Sequence, residues 1–392
     1  MTDAQTFSAV PNDEVSFLGT EPIPAAPYFD PTYHEMERDA VFRRCWLHIG
    51  RESEVAAPNS FIVRELDVAR TSILVTRTAD GELRAFHNFC THRGTELVSE
   101  PCGNASSFSC RYHAWNFAND GSLRAAPDER RFFDFDKAGC GLRPVAIDTC
   151  AGFVFVNLDP QPVQGLHEFL GPIAAELEAL DLASYTDFAQ YSYEVDANWK
   201  VTFDNFQETY HLRFVHEGST RGNATGPDNP YGYPTRFRFL DPHRTMTLWS
   251  KTGSVLTDVQ TKAVTAGFTT GDIRMVGDRE YYGLFPNFFV APYAGLATFT
   301  HQVWPLGPER TRGIVRVYFR GAVQSASMRF AREYALAQAL EVHVEDRDVI
   351  EAGQRGLRSG AIRELHFQAQ EAACRHLFLM VDAWVRNGGA PA

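Results

Sequence analysis

The chain has 392 residues, of which 44% are hydrophobic and 22% are charged, so it can bury a sizeable core. Its formal net charge of -12 argues against a nucleic-acid surface, which needs a basic stripe, and against anchoring on an anionic membrane. No apolar run approaches the roughly 18 residues of a membrane span, and the acidic, Pro-rich N-terminus lacks the layout of a signal peptide. A cytoplasmic location is therefore expected.

The chain divides into three predicted parts. Residues 1–42 are rich in Pro and turn residues, and they predict an N-terminal arm and helix that pack on the last part. Residues 43–160 alternate short β-type runs with turns, which predicts a small antiparallel β domain with Cys and His on its loops. Residues 161–392 combine aromatic β-rich stretches with apolar residues at helical spacing. They predict a larger domain in which helices cover an antiparallel sheet, so the fold class is α+β.

Four potential metal ligands lie in the predicted β domain, in the order C-x-H, seventeen residues, C-x2-H. They are Cys90, His92, Cys110 and His113. A mixed pair on each loop suits a Rieske [2Fe-2S] centre, in which two Cys hold one iron and two His hold the other. A structural zinc site is the alternative, although zinc fingers typically pair Cys with Cys and His with His. Cys102, between the two halves, is the rival ligand.

The stretches CTHRGTEL and CRYHAWNF resemble the Rieske signature of the α subunits of aromatic-ring-hydroxylating oxygenases. Arg111 stands where that family usually has Pro, and Ala114 stands where it usually has Gly. Neither position is a ligand position. The resemblance therefore implies a [2Fe-2S] cluster held by the four residues of the motif.

A second motif, E-x2-H-x4-H, contains Glu208, His211 and His216. Residues five positions apart are offset by about 140° on an ideal helix, so the two imidazoles converge only if the helix bends or ends between them. Two histidines and one carboxylate form the facial triad of non-haem Fe(II) oxygenases, which leaves coordination positions open for O2 and substrate. The alternative is a pair of satisfied core or interface histidines.

This segment resembles the mononuclear iron motif of the same family, a carboxylate-x2-H-x4-H after an N-W-K run. The resemblance implies that Glu208 is not a ligand but links the mononuclear iron site to a Rieske His of a neighbouring subunit. Asp204, one helical turn earlier, is expected to be a supporting acid.

The third ligand is expected in the distant acidic run EVHVEDRDVIE. Asp346 aligns best with the ligand carboxylate of the family, with Glu345 or Asp348 as the fallback. An acidic run is often only a solvated helix face, which is the alternative. His343, near the same run, is the main competitor for a metal role.

The resemblance implies the terminal oxygenase of a multicomponent system that uses O2 and a small-molecule substrate. A separate reductase or ferredoxin, fed by NAD(P)H, is expected to reduce the cluster. The chain has no G-x-G-x-x-G unit after a strand, so bound nicotinamide is not expected, and neither is bound flavin. The electron route of the family between subunits implies a cyclic homotrimer.

The main hypothesis for the reaction is hydroxylation or oxidative dealkylation of a small aromatic or apolar compound. The family more often has Asp where this chain has Glu208, and Glu is seen in relatives that act on quaternary amines. A betaine- or carnitine-like quaternary ammonium monooxygenase is therefore the alternative, with the cation against aromatic faces. A non-catalytic Rieske electron carrier is the hypothesis from another class, against which the chain length and the second His pair argue.

Overall fold

The computed structural model describes residues 7–216, 219, 225–249, 279–293, 297–319 and 322–389. The chain forms two compact units, one of Arg38–Ala179 and one of Met1–Glu37 with Leu180–Ala392. Both units combine antiparallel sheets with helices, which confirms the predicted α+β class. Within the described ranges, no helix is both long and apolar enough to cross a bilayer.

Strands and helices are numbered here in chain order over the described residues. The strands are β1 (Ile23–Pro24), β2 (Leu47–Arg51), β3 (Ser60–Leu66), β4 (Thr71–Arg77), β5 (Leu83–His87), β6 (Cys102–Asn104), β7 (Ser107–Ser109), β8 (Asn116–Ala118), β9 (Leu123–Ala125), β10 (Pro144–Cys150), β11 (Phe153–Asn157), β12 (Asp187–Val195), β13 (Arg236–Leu240), β14 (His243–Leu248), β15 (Arg279–Leu284), β16 (Phe288–Tyr293), β17 (Ala297–Gly307), β18 (Arg310–Phe319) and β19 (Glu364–Leu365). The helices are α1 (Asn12–Val15), α2 (Pro31–Glu37), α3 (Leu166–Leu170), α4 (Pro172–Ala179), α5 (Trp199–Asp204), α6 (Leu212–Val215), α7 (Ala326–Arg358) and α8 (Ala372–Arg386).

In the unit Arg38–Ala179, seven strands form one antiparallel sheet in the order β2-β11-β10-β5-β4-β3-β6. Strands β7, β8 and β9 form a separate three-stranded sheet. Cys90 and Cys110 are buried in a core cluster with aromatic and aliphatic side chains such as Phe61, which fixes their loops to the core. The unit extends past residue 160, where the sequence predicts the small domain to end, because α3 and α4 pack against β10.

The other unit is built on a seven-stranded antiparallel sheet in the order β12-β18-β17-β16-β15-β14-β13. Strands β17 and β18 pair as a long hairpin whose turn follows Gly307. Helix α7 packs along β12 and β18, whereas α8 packs against β13, β14 and α5. Helices therefore cover an antiparallel sheet, as predicted.

One face of α7 is buried and carries the carboxylate of Asp346. The helix begins after Ser325, whose hydroxyl accepts a hydrogen bond from the backbone N–H of Met328 at 3.1 Å. The residues buried along its C-terminal half follow helical spacing: His343, Asp346, Ile350, Gln354 and Leu357. Asp348 lies off this stripe and is exposed. The acidic run is thus split between a solvated face and the interior.

The N-W-K run fixes the start of α5 to the N-terminal segment. The side chain of Asn198 accepts a hydrogen bond from Lys200 N at 3.0 Å and donates to the carbonyl oxygen of Pro308 at 2.7 Å. Trp199 Nε1 donates to Glu37 at 3.0 Å, and Lys200 Nζ donates to the same carboxylate. Both side chains of the Lys200–Glu37 ion pair are fully buried. The chain that leaves this anchored helix carries the second motif.

Candidate active site

The four predicted ligands of the β unit lie on two loops with the same backbone geometry. In each loop the Cys carbonyl accepts a hydrogen bond from the N–H four residues later, at 2.9 Å. The Cys N–H donates to the carbonyl five residues later, at 2.8 Å. The fourth residue after Cys90 is Gly94 (φ 75°), and the fourth after Cys110 is Ala114 (φ 56°). Ala114, the position where the family usually has Gly, therefore keeps the left-handed conformation of the loop despite its side chain.

The thiols of these loops lie inside and the imidazoles lie outside. Cys90 and Cys110 are 2% and 3% exposed, whereas His92 is half-buried and His113 is exposed. The two imidazole rings are 4.7 Å apart between centroids, and Trp115 stacks on His92 at 4.8 Å. Burial raises the pKa of the Cys90 thiol, and the neighbouring Cys110 adds to the rise. A metal would hold both as thiolates, so the donor set fits a Rieske cluster whose His side faces outward.

The spacing of the same atoms does not suit a single zinc ion. Tetrahedral ligands at about 2.0–2.3 Å from zinc lie within roughly 4 Å of one another. Among the described residues, two groups of ligand atoms lie within 4.8 Å of one another: Cys150 with His167 and Glu178, and His211 with His216 and Asp346. No three of Cys90, His92, Cys110 and His113 form such a group among the described residues, which fits a binuclear cluster better than a single ion. Cys102, the rival ligand, lies in strand β6.

In the other unit, His211, His216 and Asp346 converge on one point. The Nε2 atoms of the two histidines are 3.2 Å apart. Oδ1 of Asp346 lies 3.2 Å from Nε2 of His216 and 3.6 Å from Nε2 of His211. Two imidazoles and one carboxylate in this arrangement are the donor set of a non-haem Fe(II) facial triad.

The two histidines converge because no continuous helix runs through both. Helix α5 ends at Asp204, and a separate four-residue helix, α6, lies between His211 and His216. His211 is the residue before α6, and His216 ends it with φ -97° and ψ 43°, outside helical values. The expected interruption of the helix is thus confirmed: a separate one-turn helix lies between the imidazoles, with one histidine at each end.

Each histidine has a carboxylate on its other ring nitrogen. Nδ1 of His211 hydrogen-bonds Glu208, whose second oxygen accepts from the backbone N–H groups of Tyr210 and His211. Nδ1 of His216 lies 2.7 Å from Glu345. Carboxylates on Nδ1 fix the tautomer and leave Nε2 bare toward the metal position. Burial lowers the pKa of His216, but the nearby carboxylates of Asp346 and Glu345 outweigh it and raise the pKa.

The carboxylate of Asp346 is buried without a hydrogen bond among the described residues, and a bound cation would compensate its charge. The residue is 1% exposed, and neither of its carboxylate oxygens has a hydrogen-bond partner in the part of the chain that the structure describes. A buried carboxylate without partners is strongly unfavourable. A divalent cation bound between Asp346 and the two imidazoles removes that penalty, so these residues fit a mononuclear iron.

Asp204 lies apart from the triad. It is buried, and Tyr28 Oη donates to one of its oxygens at 3.5 Å, but no described hydrogen bond joins it to Glu208. Burial raises its pKa well above the ordinary value. Glu371, which the sequence did not single out, is nearby: burial raises its pKa to about 7, and the charge of Glu208 adds to the rise. Its only sequence signal is the capping-box spacing from Gln368.

Of the competitors in the acidic run, Glu345 positions His216, Asp348 is exposed, and His343 lies outside the triad. His343 instead hydrogen-bonds the hydroxyl of Tyr191. This histidine–tyrosine pairing could not be read from the sequence, because its two members are 152 positions apart.

Comparisons with known proteins identify both domain types. The sequence profile of the Rieske [2Fe-2S] domain matches residues 45–143, and that of the ring hydroxylating alpha subunit (catalytic domain) matches residues 182–387. The carnitine monooxygenase oxygenase subunit of Acinetobacter baumannii is 28% identical over 356 residues, which are 87% of this chain and 86% of that protein.

Solved structures of two enzymes share the fold. A quaternary ammonium Rieske monooxygenase in complex with its substrate gamma-butyrobetaine has a TM-score of 0.74 at 23% identity, over 96% of this chain and 99% of that one. The complex of the same enzyme with its substrate L-carnitine has a TM-score of 0.73. Naphthalene 1,2-dioxygenase from Rhodococcus sp. has a TM-score of 0.74 at 20% identity, over 96% of both chains. Enzymes named for quite different substrates therefore share this fold.

The profile of the catalytic domain covers more than half of the chain, and both motifs with ligand chemistry fall inside the matched ranges. A Rieske domain followed by this catalytic domain excludes the hypothesis of a simple electron carrier. The chain belongs to the family of ring-hydroxylating oxygenase alpha subunits, the oxygenase components that combine a Rieske [2Fe-2S] cluster with a mononuclear iron.

Proposed function

We propose that this protein is the oxygenase subunit of a monooxygenase that acts on a quaternary ammonium compound. The observation that carries the proposal is the similarity to a carnitine monooxygenase subunit along 87% of the chain. Glu208 at the linking position supports it, because the resemblance associates Glu there with relatives that act on quaternary amines. The comparisons therefore favour this alternative over the hypothesis of an aromatic or apolar substrate.

In the proposed enzyme, the cluster is held by Cys90, His92, Cys110 and His113. The mononuclear iron is held by His211, His216 and Asp346. The cluster would supply electrons, and the mononuclear iron would activate O2 beside the substrate. Glu345 holds His216 in its ligand tautomer through the contact at 2.7 Å.

Glu208 is proposed to link the mononuclear site of one subunit to a Rieske imidazole of its neighbour. Its carboxylate contacts His211 Nδ1 and keeps 13% of its side-chain surface exposed, so it is fixed against the ligand histidine and still partly accessible from outside. The exposed imidazole of His113 is the kind of partner that such a carboxylate needs. Asp204 is proposed to support Glu208 electrostatically rather than by direct contact.

The link between subunits requires an oligomer, and we propose a cyclic homotrimer. A separate reductase or ferredoxin is the proposed electron donor. The acidic chain, with its net charge of -12, would favour a basic patch on that partner at low ionic strength. A cytoplasmic location stays a prediction, as do the three domain ranges 1–42, 43–160 and 161–392.

A single-turnover experiment tests the substrate class without the unidentified reductase. The holoenzyme is reduced with dithionite, freed of excess reductant, and mixed with O2 and one compound of a panel, and product is measured by mass spectrometry. The panel contains the trimethylammonium compounds gamma-butyrobetaine, L-carnitine and choline, and the aromatic compounds benzoate and naphthalene. We expect oxidised product from at least one trimethylammonium compound and none from the aromatic compounds.

The Asp346→Asn variant is the control for chemistry at the triad and should yield no product although its cluster is reduced. Product from an aromatic compound, with none from any trimethylammonium compound, would refute the proposal and restore the aromatic hypothesis.

A further inference from the structure

A buried polar cluster lies between helix α7 and the sheet of the catalytic unit. It consists of Tyr191 and Tyr193 on β12, His301 on β17 and His343 on α7. Tyr191 Oη is 2.7 Å from Nδ1 of His343, and Tyr193 Oη is 2.8 Å from Nε2 of His301. The two imidazole rings stand perpendicular, 5.0 Å apart between centroids. His301 is 0% exposed and His343 is 6% exposed.

The contacts of His343 determine which of its nitrogens carries the proton. Nδ1 lies 2.7 Å from the carbonyl oxygen of Ala339, which can only accept a hydrogen bond. Nδ1 therefore carries the hydrogen, and the hydroxyl oxygen of Tyr191 is a second acceptor for the same N–H. Burial lowers the pKa of His343 to about 4, so the ring is neutral at physiological pH. In a neutral ring with hydrogen on Nδ1, Nε2 is a bare acceptor.

That acceptor has no partner. Nε2 of His343 is buried and makes no hydrogen bond in the part of the chain that the structure describes. Nδ1 of His301 is in the same condition. Buried polar atoms are nearly always hydrogen-bonded, and an orphan at a functional site calls for a water molecule or a ligand.

The orphan acceptor belongs to the surroundings of the triad. His343 precedes Asp346 by less than one helical turn on the same buried stripe of α7. Phe206, two residues before Glu208, stacks on His343 at 4.8 Å and meets His301 edge-on at 4.4 Å.

The cluster is also held in place from behind. A Cβ at Gly313 would lie 2.2 Å from the ring of Tyr193, so this tyrosine occupies the space that a side chain would take on β18. Tyr193 in turn holds His301 by its hydrogen bond. The histidine side chains that carry the unpaired nitrogens are therefore held in fixed positions by their neighbours.

We propose that the substrate donates a hydrogen bond from a hydroxyl group to Nε2 of His343. The inference rests on the proposed function, which makes the substrate a quaternary ammonium compound. The quaternary ammonium group of such a compound has no N–H, and a carboxylate has no hydrogen-bond donor at neutral pH. A hydroxyl is thus the donor that such a compound can offer to a bare imidazole nitrogen. Phe206, which stacks on His343, supplies an aromatic ring beside that nitrogen for the cation.

Binding to the oxidised holoenzyme tests the inference, since turnover cannot occur without electrons. Dissociation constants are measured by titration calorimetry for two pairs that differ in a hydroxyl, L-carnitine against gamma-butyrobetaine and choline against propyltrimethylammonium. We expect the hydroxylated member of at least one pair to bind about 3- to 10-fold tighter, the range of one neutral hydrogen bond. His343→Leu should reduce that preference to about 1, and His343→Gln, which keeps an acceptor, should retain part of it.

His366→Leu, a change at an exposed histidine of the same unit, is the matched control and should keep the full preference. Equal affinities within both pairs in the wild type would overturn the inference and leave the proposed function standing. A preference that survives His343→Leu would overturn it as well. If no trimethylammonium compound binds, both the inference and the proposed function fail. The wild-type comparison alone suffices if a His343 variant does not fold.

Discussion

Three neighbouring carboxylates on α7 should have three different effects on iron binding. Asp346 is 1% exposed and lies 3.2 Å from His216 Nε2, Glu345 lies 2.7 Å from Nδ1 of the same ring, and Asp348 is exposed. The changes Asp346→Asn, Glu345→Gln and Asp348→Asn each remove one negative charge with little change in size. They therefore compare a ligand, a positioning residue and a surface residue on one helix.

The expected magnitudes follow from these contacts. Asp346→Asn removes one of three protein ligands, so iron should fall from three per chain, two in the cluster and one in the triad, to two. Glu345→Gln leaves the ligands in place but weakens the hold on the His216 tautomer, which should reduce affinity for the mononuclear iron about 10- to 100-fold. Asp348→Asn should change the affinity by less than roughly 2-fold, as a surface substitution does.

A chelator competition measures these differences. Each purified protein is equilibrated with graded concentrations of an Fe(II) chelator, and retained iron is measured by atomic spectrometry. The visible and electron paramagnetic resonance signals of the Rieske cluster serve as the internal standard, because the triad variants should leave them intact. Iron loss in Asp348→Asn, or full retention in Asp346→Asn, would refute the assignment of the third ligand.

Three further predictions concern pH, burial and loop geometry. Burial raises the pKa of Glu371 to about 7, so the folded protein binds more protons than the unfolded chain between about pH 4.5 and 7. The free energy of unfolding should therefore fall by up to about 3 kcal/mol as the pH rises through that window. Glu371→Gln should flatten this slope in urea unfolding measured at several pH values, and an unchanged slope would contradict the argument. Lys200→Met should destabilise the protein by about 3–5 kcal/mol in the same assay by leaving the buried Glu37 without its ion-pair partner, whereas combining it with Glu37→Gln should recover much of the loss. Ala114→Gly should raise stability by about 1 kcal/mol and slow thermal loss of the cluster signal, because Gly adopts the φ of 56° without strain; faster loss would refute that expectation.

The proposed ligand set of the cluster could be inferred from the sequence because its geometry is local. Each loop is closed by hydrogen bonds between residues four and five positions apart, so C-x-H and C-x2-H carry most of the required shape in their own sequence. The same holds for His211 and His216, which flank one turn of helix. The α+β class was also predictable, because alternation of apolar residues in strands and their helical spacing in the last third are visible along the chain.

The choice among the carboxylates of α7 could be made from the sequence only by resemblance to a family. An acidic run satisfies the pattern of a solvated helix face as well as that of a metal site, and only the packing of α7 along β12 and β18 determines which residue turns inward. That packing buries Asp346, places Glu345 on His216 and leaves Asp348 in solvent.

The sequence by itself therefore determined the ligand types and the local loops that present them. Only the tertiary structure decided what surrounds them, because those partners come from distant elements. The contact of His216 with Glu345 spans 129 positions, and that of Tyr191 with His343 spans 152. A residue pattern records periodicity within one element, whereas the burial of a carboxylate or an unpaired imidazole nitrogen depends on which elements the sheet brings together.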